Sequence, residues 1–307
     1  MGRVLVLVGP TGVGKTELSI RLAERFACPI ISADSRQLYR ELPIGTAAPT
    51  AEEQARVRHF LVGTLGVEET YNAGRFVRDA HQILSTLDTA SDPVAIVAGG
   101  AMLYIDALLY GLDELPAVDA RVRAQVNEDY ASRGLEWLQA EVQRLDAAYW
   151  AEVDRQNPQR LMRCLEVCLA TGRPFSEYRT GSCAGMRPDE YLLVGLTRPR
   201  EQLYDRINRR VDAMIEEGLE AEARGVYGRL ATPTVGYAEL FRYFDGKLSR
   251  EEAIRLIKQN SRHYAKRQLT WWRRNSEIHW INANEDENEQ IHTICALLHA
   301  DGMHPEQ

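Results

Sequence analysis

The sequence predicts an α/β protein in which a parallel sheet is covered by helices and interrupted by a helical insertion. Three observations carry that reading. Short apolar runs alternate with helical patterns at both ends of the chain, the order that builds βαβ units. A glycine-rich stretch, GPTGVGKT from Gly9 to Thr16, lies between the first apolar run and the first helical pattern. From about Pro116 to Gly185 the pattern is helical, without a convincing strand.

RVLVLV (Arg3 to Val8) reads as a buried strand, and Glu17 to Phe26 as the helix that follows the loop. PIISADS supplies a second strand, with Asp34 just past its end. HFLVGTL predicts a strand near residue 60, Ala73 to Leu87 a helix, and VAIVAGG a continuous apolar strand running into Gly99 and Gly100. A helix over Met102 to Leu109 comes next. YLLVGLT (Tyr191 to Thr197) returns the chain to the sheet, and helices resume from Arg200 to Arg224. Ser249 and Glu252 are spaced as a capping box for a long helix reaching about Arg274, and IHWI is the expected last strand. The domain reading is therefore a core in two parts, 1–115 and 186–307, around an insertion at 116–185. Ligands in such folds bind at the C-terminal ends of the strands, where Gly9, Asp34 and Gly99 would meet.

At 307 residues the chain can bury one large core or two smaller ones, and 45% hydrophobic against 26% charged residues is ordinary globular composition. Its longest apolar runs, Val4 to Val8 and Val94 to Ala98, are far short of the ~20 residues of a membrane span. The first residues enter a strand directly, so no targeting segment is expected. Five cysteines without CxxC pairs read as reduced thiols in a cytoplasmic enzyme. Net charge is -7, yet charge is segregated. Arg155, Arg160, Arg163, Arg173, Arg179 and Arg187 face only Glu166 and Glu177 in their stretch, and Arg255 to Arg274 contains basic residues and no acid. Glu285, Asp286, Glu287 and Glu289 balance them elsewhere. Local basic faces decide whether a phosphate backbone is attracted.

GPTGVGKT fits G-x-x-x-x-G-K-[ST] in the strand-loop-helix context that gives the pattern meaning. This makes the sheet P-loop NTPase-like. The loop Gly9, Pro10, Thr11, Gly12, Val13 and Gly14 would cradle phosphate with its backbone N–H groups, which Pro10 alone lacks, and with the helix N-terminus. Lys15 would reach its terminal oxygens, and Thr16 would help hold magnesium. The plain alternative is a glycine-rich turn. Asp34 is either a cap or a carboxylate facing an acceptor molecule. A nucleotide hydrolase of this loop class holds magnesium with an Asp after a later apolar strand; VAIVAGG ends in glycine. That leaves kinases, or a transferase that expels diphosphate.

In the insertion, Asn157-Pro158 starts a helix that stops near Gly172, with Gln159, Arg160 and Arg163 on its first turns. Cys164 and Cys168, one turn apart, read as core rather than metal ligands. After Ser249, Arg255, Lys258, Arg262, Lys266 and Arg273 follow helical spacing, either a solvated surface or an RNA-binding face. His292, Cys295 and His299 lack a clear fourth metal ligand.

Taken together these stretches resemble the bacterial tRNA isopentenyltransferase (tRNA dimethylallyltransferase) family from Val4 to about Ile281. The resemblance rests on GPTGVGKT, ISADSRQLY with IGTAAPT, VAGGAMLY, LPAVDARVR, NPQRLMRCLEV, LYDRINRRVDAMIEEGL, VGYAEL and YAKRQLTWWRR in order. It implies transfer of a dimethylallyl group from dimethylallyl diphosphate to N6 of the adenosine 3′ of the anticodon, with diphosphate as leaving group and magnesium as cofactor. Lys15, Thr16 and Arg123 would stabilise the departing charge, and Asp34 would orient the amine and take its proton. Contacts to the tRNA anticodon stem-loop are implied for Asp34, Ser35, Arg36 and Gln37, for Ala101 and Arg123, for Gln159, Arg160, Leu161, Met162 and Arg163, and for Val235, Gly236 and Tyr237. A monomer without membrane association is expected. Two positions depart from the family: Ala101 stands where a hydroxyl residue is usual, and Ala48 where Lys is common. The competing readings are an adenylate isopentenyltransferase acting on free nucleotides, a small-molecule P-loop kinase and a non-catalytic RNA-binding module.

Overall fold

The computed structural model describes residues 2–88, 91–113, 115–179, 185–230 and 232–300. The chain forms two compact units, one of Met1–Leu109 with Met186–Gln307 and one of Tyr110–Gly185. The insertion thus begins at Tyr110, earlier than the composition change near 116.

The first unit is built on six parallel strands: β1 (Val4–Val8), β2 (Ile30–Ala33), β3 (His59–Phe60), β4 (Ala95–Gly99), β5 (Tyr191–Thr197) and β6 (His279–Asn282), in the order β3-β2-β4-β1-β5-β6. β1 is central and buried throughout, which is why it reads as an unbroken apolar run. Val8 pairs with Gly99 and with Gly195, and Ala33 pairs with Gly99, so β1, β2 and β4 end level with one another. The next residues along the chain, Gly9, Asp34 and Gly100, are therefore delivered to one edge. Gly99 is required for this: a Cβ there would sit 2.1 Å from the Ala33 carbonyl oxygen. HFLVGTL joins the sheet as a strand over His59 and Phe60, because Leu61 takes a left-handed φ of 62° and interrupts it; the chain returns at Leu65 in a single parallel bridge to Tyr39.

Helices cover the sheet. α1 (Lys15–Phe26), α2 (Pro43–Thr46), α3 (Ala51–Arg56), α4 (Ala73–Leu84) and α5 (Met102–Tyr110) precede the insertion. Leu5, Leu7, Leu18, Leu22, Ile96 and Val194 share one core, and each such side chain contributes roughly 1.5–3 kcal/mol on burial.

The second unit is helical: α6 (Ala120–Leu145), α7 (Ala147–Glu152), α8 (Pro158–Thr171) and a 3-10 turn at Phe175–Tyr178. Gly134, at φ 75° and ψ -171°, breaks α6 in two. Asn157 caps α8 by accepting from the Arg160 amide, and Gly172 ends it in the left-handed conformation. Val126, Leu138, Val142, Leu161, Leu165 and Phe175 give this unit its own core.

The first unit then resumes with α9 (Arg200–Glu216), α10 (Leu219–Gly225), α11 (Tyr237–Phe244), α12 (Arg250–Trp272) and α13 (Glu287–Ala300). Only half of the expected capping box forms on α12. Ser249 accepts from the Glu252 amide, but the Glu252 carboxylate turns to Arg255 at 2.6 Å instead of back to the cap.

Candidate active site

A cavity of about 980 Å³ opens at the strand ends of the first unit, lined by Lys15, Thr16, Asp34 and Arg36 among others. Gly14, at φ 121°, precedes α1 and lets the loop close on the helix N-terminus. The Lys15 ammonium folds back over the loop, donating to the carbonyls of Gly9 (2.8 Å) and Pro10 (2.9 Å). Loss of water lowers its pKa to about 8; the nearby Asp34 charge opposes the shift and Arg210 adds to it. Thr16 is exposed at the first turn of α1 and lines the cavity.

Asp34 does not cap a helix. Its Oδ1 accepts from the amides of Arg36 (2.8 Å) and Gln37 (3.4 Å), closing a turn over residues 35–38. That bond set fixes the carboxylate at the cavity wall. Ser35, Arg36 and Gln37 line the same wall. The Arg36 Nε is buried with no hydrogen-bond partner among the described residues, a donor held ready for an acceptor group. Gln37 donates to the carbonyls of Ala47 (3.0 Å) and Thr46 (3.4 Å), tying this turn to IGTAAPT.

Sequence reasoning assigned no role to Arg210, although RINRRV contains it. On α9 it approaches the loop, with long contacts from its guanidinium to Thr11 Oγ1 (3.4 Å) and the Thr46 carbonyl (3.5 Å). Burial lowers its pKa from the usual arginine value, Asp34 opposes this, and Arg206 reinforces it. Arg206 itself donates to the Gly12 carbonyl at 2.9 Å. The signal was available: Arg206 and Arg210 are one turn apart, flanking the buried Ile207 that packs beneath Gly12. Tyr264 and Gln268 of α12 were missed as well, and both line the cavity. Burial, and next the Asp34 charge, raises the Tyr264 phenol to about 12.

Burial distinguishes among the expected contacts. Tyr237 is 0% exposed and its hydroxyl donates to Glu222, whereas Val235 and Gly236 line the cavity. Leu161 and Met162 turn into the helical unit's core, since they fall on the face of α8 opposite Gln159 and Arg160, which are exposed. Ala101 is buried, its amide donating to the Ala33 carbonyl at 3.1 Å, so its methyl offers no polar contact.

In the helical unit Arg123 (3.6 Å) and Arg163 (3.1 Å) share the buried Glu166 carboxylate. Cys164 and Cys168 are core residues, and the neighbouring Asp146 carboxylate already accepts from the Tyr149 amide and from the amide and hydroxyl of Ser176. At the C-terminus, His299 donates from Nδ1 to the Cys295 carbonyl at 2.6 Å. The basic face of α12 is not free of acids: Arg255 pairs with Glu252, and Lys258 with Asp212 of α9 at 2.5 Å, while Arg262 donates to Asn208 at 2.6 Å. Sequence spacing alone could not show partners contributed by another helix.

A family model described as IPP transferase matches residues 37–275, which leaves the phosphate loop outside the matched span. tRNA dimethylallyltransferase 1 of Bacteroides thetaiotaomicron is 50% identical over 289 residues, 93% of each chain. tRNA dimethylallyltransferase 2 of Parabacteroides distasonis is 46% identical over 94% of this chain and 96% of its own. Among solved structures, the tRNA isopentenylpyrophosphate transferase of Bacillus halodurans superposes at a TM-score of 0.70 and 33% identity, over 98% of this chain and 97% of that one. A eukaryotic dimethylallyltransferase described as acting on tRNA shares the fold, with a TM-score of 0.80 at 23% identity over 100% of this chain and 81% of its own.

Proposed function

This chain belongs to the IPP transferase family, and from that premise we propose that it is a tRNA dimethylallyltransferase. It moves a dimethylallyl group from dimethylallyl diphosphate to N6 of the adenosine 3′ of the anticodon, releasing diphosphate. The observation that carries this reading is the placement of Lys15 and Asp34 on one cavity, beyond the ends of β1 and β2, the two strands that flank β4.

In this reading the phosphate loop holds the leaving group rather than a transferred phosphoryl. The N6 lone pair attacks the allylic carbon, the carbon–oxygen bond breaks, and the electron pair leaves with diphosphate. Lys15 and Arg210 meet the growing charge. Asp34 accepts the proton that N6 loses, its geometry fixed by the Arg36 and Gln37 amides. N6 is a poor nucleophile because its lone pair is delocalised into the ring, so positioning counts as much as basicity. The base must leave the anticodon-loop stack to reach the cavity.

Magnesium is the metal this reading implies. The donors at hand, the Thr16 hydroxyl and the diphosphate itself, are hard oxygens that suit it. When bound it supplies Lewis-acid charge to the departing diphosphate. ATP can compete weakly for the same loop without being hydrolysed rapidly. A monomer working in the cytoplasm completes the reading; no helix among the described residues is long and apolar enough to cross a membrane.

The rival acceptor is free adenylate. A separate helical unit carrying exposed Gln159 and Arg160 favours tRNA. Incubation with labelled dimethylallyl diphosphate and either an anticodon stem-loop or AMP decides between them. Product on AMP alone would overturn the tRNA reading, and label transferred from the γ-phosphate of ATP would replace it with a kinase.

A further inference from the structure

Gln268 lies on α12, 1% exposed, far in sequence from the phosphate loop. Its carboxamide joins two parts of the site. Oε1 accepts from the Thr11 amide at 2.9 Å, and Nε2 donates to the Gly100 carbonyl at 2.9 Å. The orientation of the amide follows from its partners, since an N–H can only donate and a carbonyl can only accept. Tyr264, one turn earlier, brings its hydroxyl to the same Gly100 carbonyl at 3.5 Å. Gly100 leaves room for this: a Cβ there would stand 2.3 Å from Gln268 Nε2.

The loop is otherwise held through its carbonyls, Gly9 and Pro10 by Lys15 and Gly12 by Arg206. Its Val13 amide bonds the Pro10 carbonyl at 3.3 Å. Gln268 adds a hold on the loop's donor side and sets it against the end of β4. Thr11 is also the residue whose hydroxyl meets Arg210. The one carboxamide thereby links the loop, the Gly99-Gly100 turn and the α12 wall of the cavity.

We propose that Gln268 is a positioning residue for the leaving group: by engaging the Thr11 amide and the Gly100 carbonyl together, it fixes the phosphate loop in the register that presents diphosphate to Lys15 and Arg210. This rests on the reading of the loop given above. Among side chains without a titratable proton, only Asn also accepts and donates from one planar carboxamide, and it is one methylene shorter. A carboxylate would oppose the Gly100 oxygen, and Met would take the partner from the Thr11 amide and leave the Gly100 carbonyl only the Tyr264 hydroxyl at 3.5 Å. A displacement of about 1 Å at a reacting group costs on the order of a hundredfold in rate.

The test compares wild type, Gln268→Met and Gln268→Glu. Three quantities are measured: binding of inorganic diphosphate with magnesium by calorimetry, steady-state kinetics against each substrate, and the pH profile. For Gln268→Met, diphosphate affinity should fall about tenfold and kcat/KM for the donor by about 10- to 100-fold, with KM for the stem-loop unchanged. For Gln268→Glu, activity relative to wild type should rise as pH falls, because the protonated acid restores a donor to Gly100 while its carbonyl still accepts from Thr11. A folded Gln268→Met with wild-type diphosphate affinity and donor kinetics would overturn the inference and leave Gln268 a core hydrogen bond. If Gln268→Met does not fold, a Gln268→Glu profile parallel to wild type overturns it equally. Failure of the wild-type chain to bind diphosphate would instead bring down the reading of the loop, and this inference with it.

Discussion

The Tyr237 hydroxyl donates to the Glu222 carboxylate at 2.6 Å, and the same carboxylate accepts the amides of Ile44 and Gly45 at 2.8 Å each. One acid thus ties the IGTAAPT segment to the start of α11. Burial, reinforced by Glu222, holds the phenol far above its ordinary pKa, so it stays a donor at any working pH. Tyr237→Phe should therefore cost stability, about 1–3 kcal/mol for a buried bond to a charged acceptor. Stem-loop affinity should change less than twofold, because the ring never reaches the surface. Urea unfolding and stem-loop binding measure the two separately. A large loss of RNA affinity at unchanged stability would return Tyr237 to a direct contact.

Asp34→Asn separates the turn from the chemistry. The carboxamide oxygen can still accept from Arg36 and Gln37, so the fold of residues 35–38 should survive, but the proton acceptor is gone. Single-turnover transfer to the stem-loop should slow at least tenfold, as it should for Asp34→Ala. Near-normal transfer by Asp34→Asn would reduce Asp34 to a turn residue.

Lys15 makes donor use depend on pH in a stated direction. Its pKa of about 8 in the folded protein means that the ammonium, the form that attracts diphosphate, is lost as pH rises through 8. The value of kcat/KM for dimethylallyl diphosphate, which reports the free enzyme, should fall through that window. Stability follows the opposite sense. The unfolded chain holds this proton up to the ordinary lysine value of 10.5, so the Lys15 contribution to stability improves between pH 8 and 10.5. Lys15→Arg keeps its charge and should lose the alkaline limb even if its plateau is lower. Lys15→Ala should lower turnover at least tenfold. An alkaline limb that persists in Lys15→Arg would assign it to another group.

Removing magnesium with a chelator should abolish transfer, and adding it back should restore the rate. Phosphate release from ATP should stay negligible with or without tRNA. Rapid tRNA-stimulated release would mean that the loop serves nucleotide hydrolysis.

What the sequence made legible was what local pattern encodes. β1, β4 and β5 are buried on both faces and read as apolar runs, and Asn157 and Gly172 bound α8 through their own side-chain and backbone chemistry. Gly9, Asp34 and Gly99 could be placed at one edge because parallel sheets end together. The misses all depend on partners distant in sequence. Arg210 and Gln268 approach Thr11 from helices 199 and 257 residues later, and Asp212 answers Lys258 from α9. The burial of Tyr237, too, is something motif position does not reveal.

The pairing of Lys258 also sharpens how an acidic chain is to hold a polyanion. Arg160 is exposed on α8 and makes no ion pair among the described residues, whereas Lys258 is partly buried against Asp212. A cation that already has a carboxylate partner displaces less counterion from RNA, since part of its charge is neutralised beforehand. Arg160→Ala should therefore weaken stem-loop binding and raise its apparent KM, leaving diphosphate binding unchanged. Lys258→Ala should do little to either. If Arg160 contacts phosphate, its removal lowers the slope of log affinity against log salt by roughly 0.7–0.9. If it stacks on a base, affinity falls while the slope barely moves. Stem-loop affinity across a salt series for the three proteins reads all of this at once. Should Arg160→Ala match wild type at every salt concentration, the first turns of α8 are solvated surface, and adenylate becomes the better acceptor.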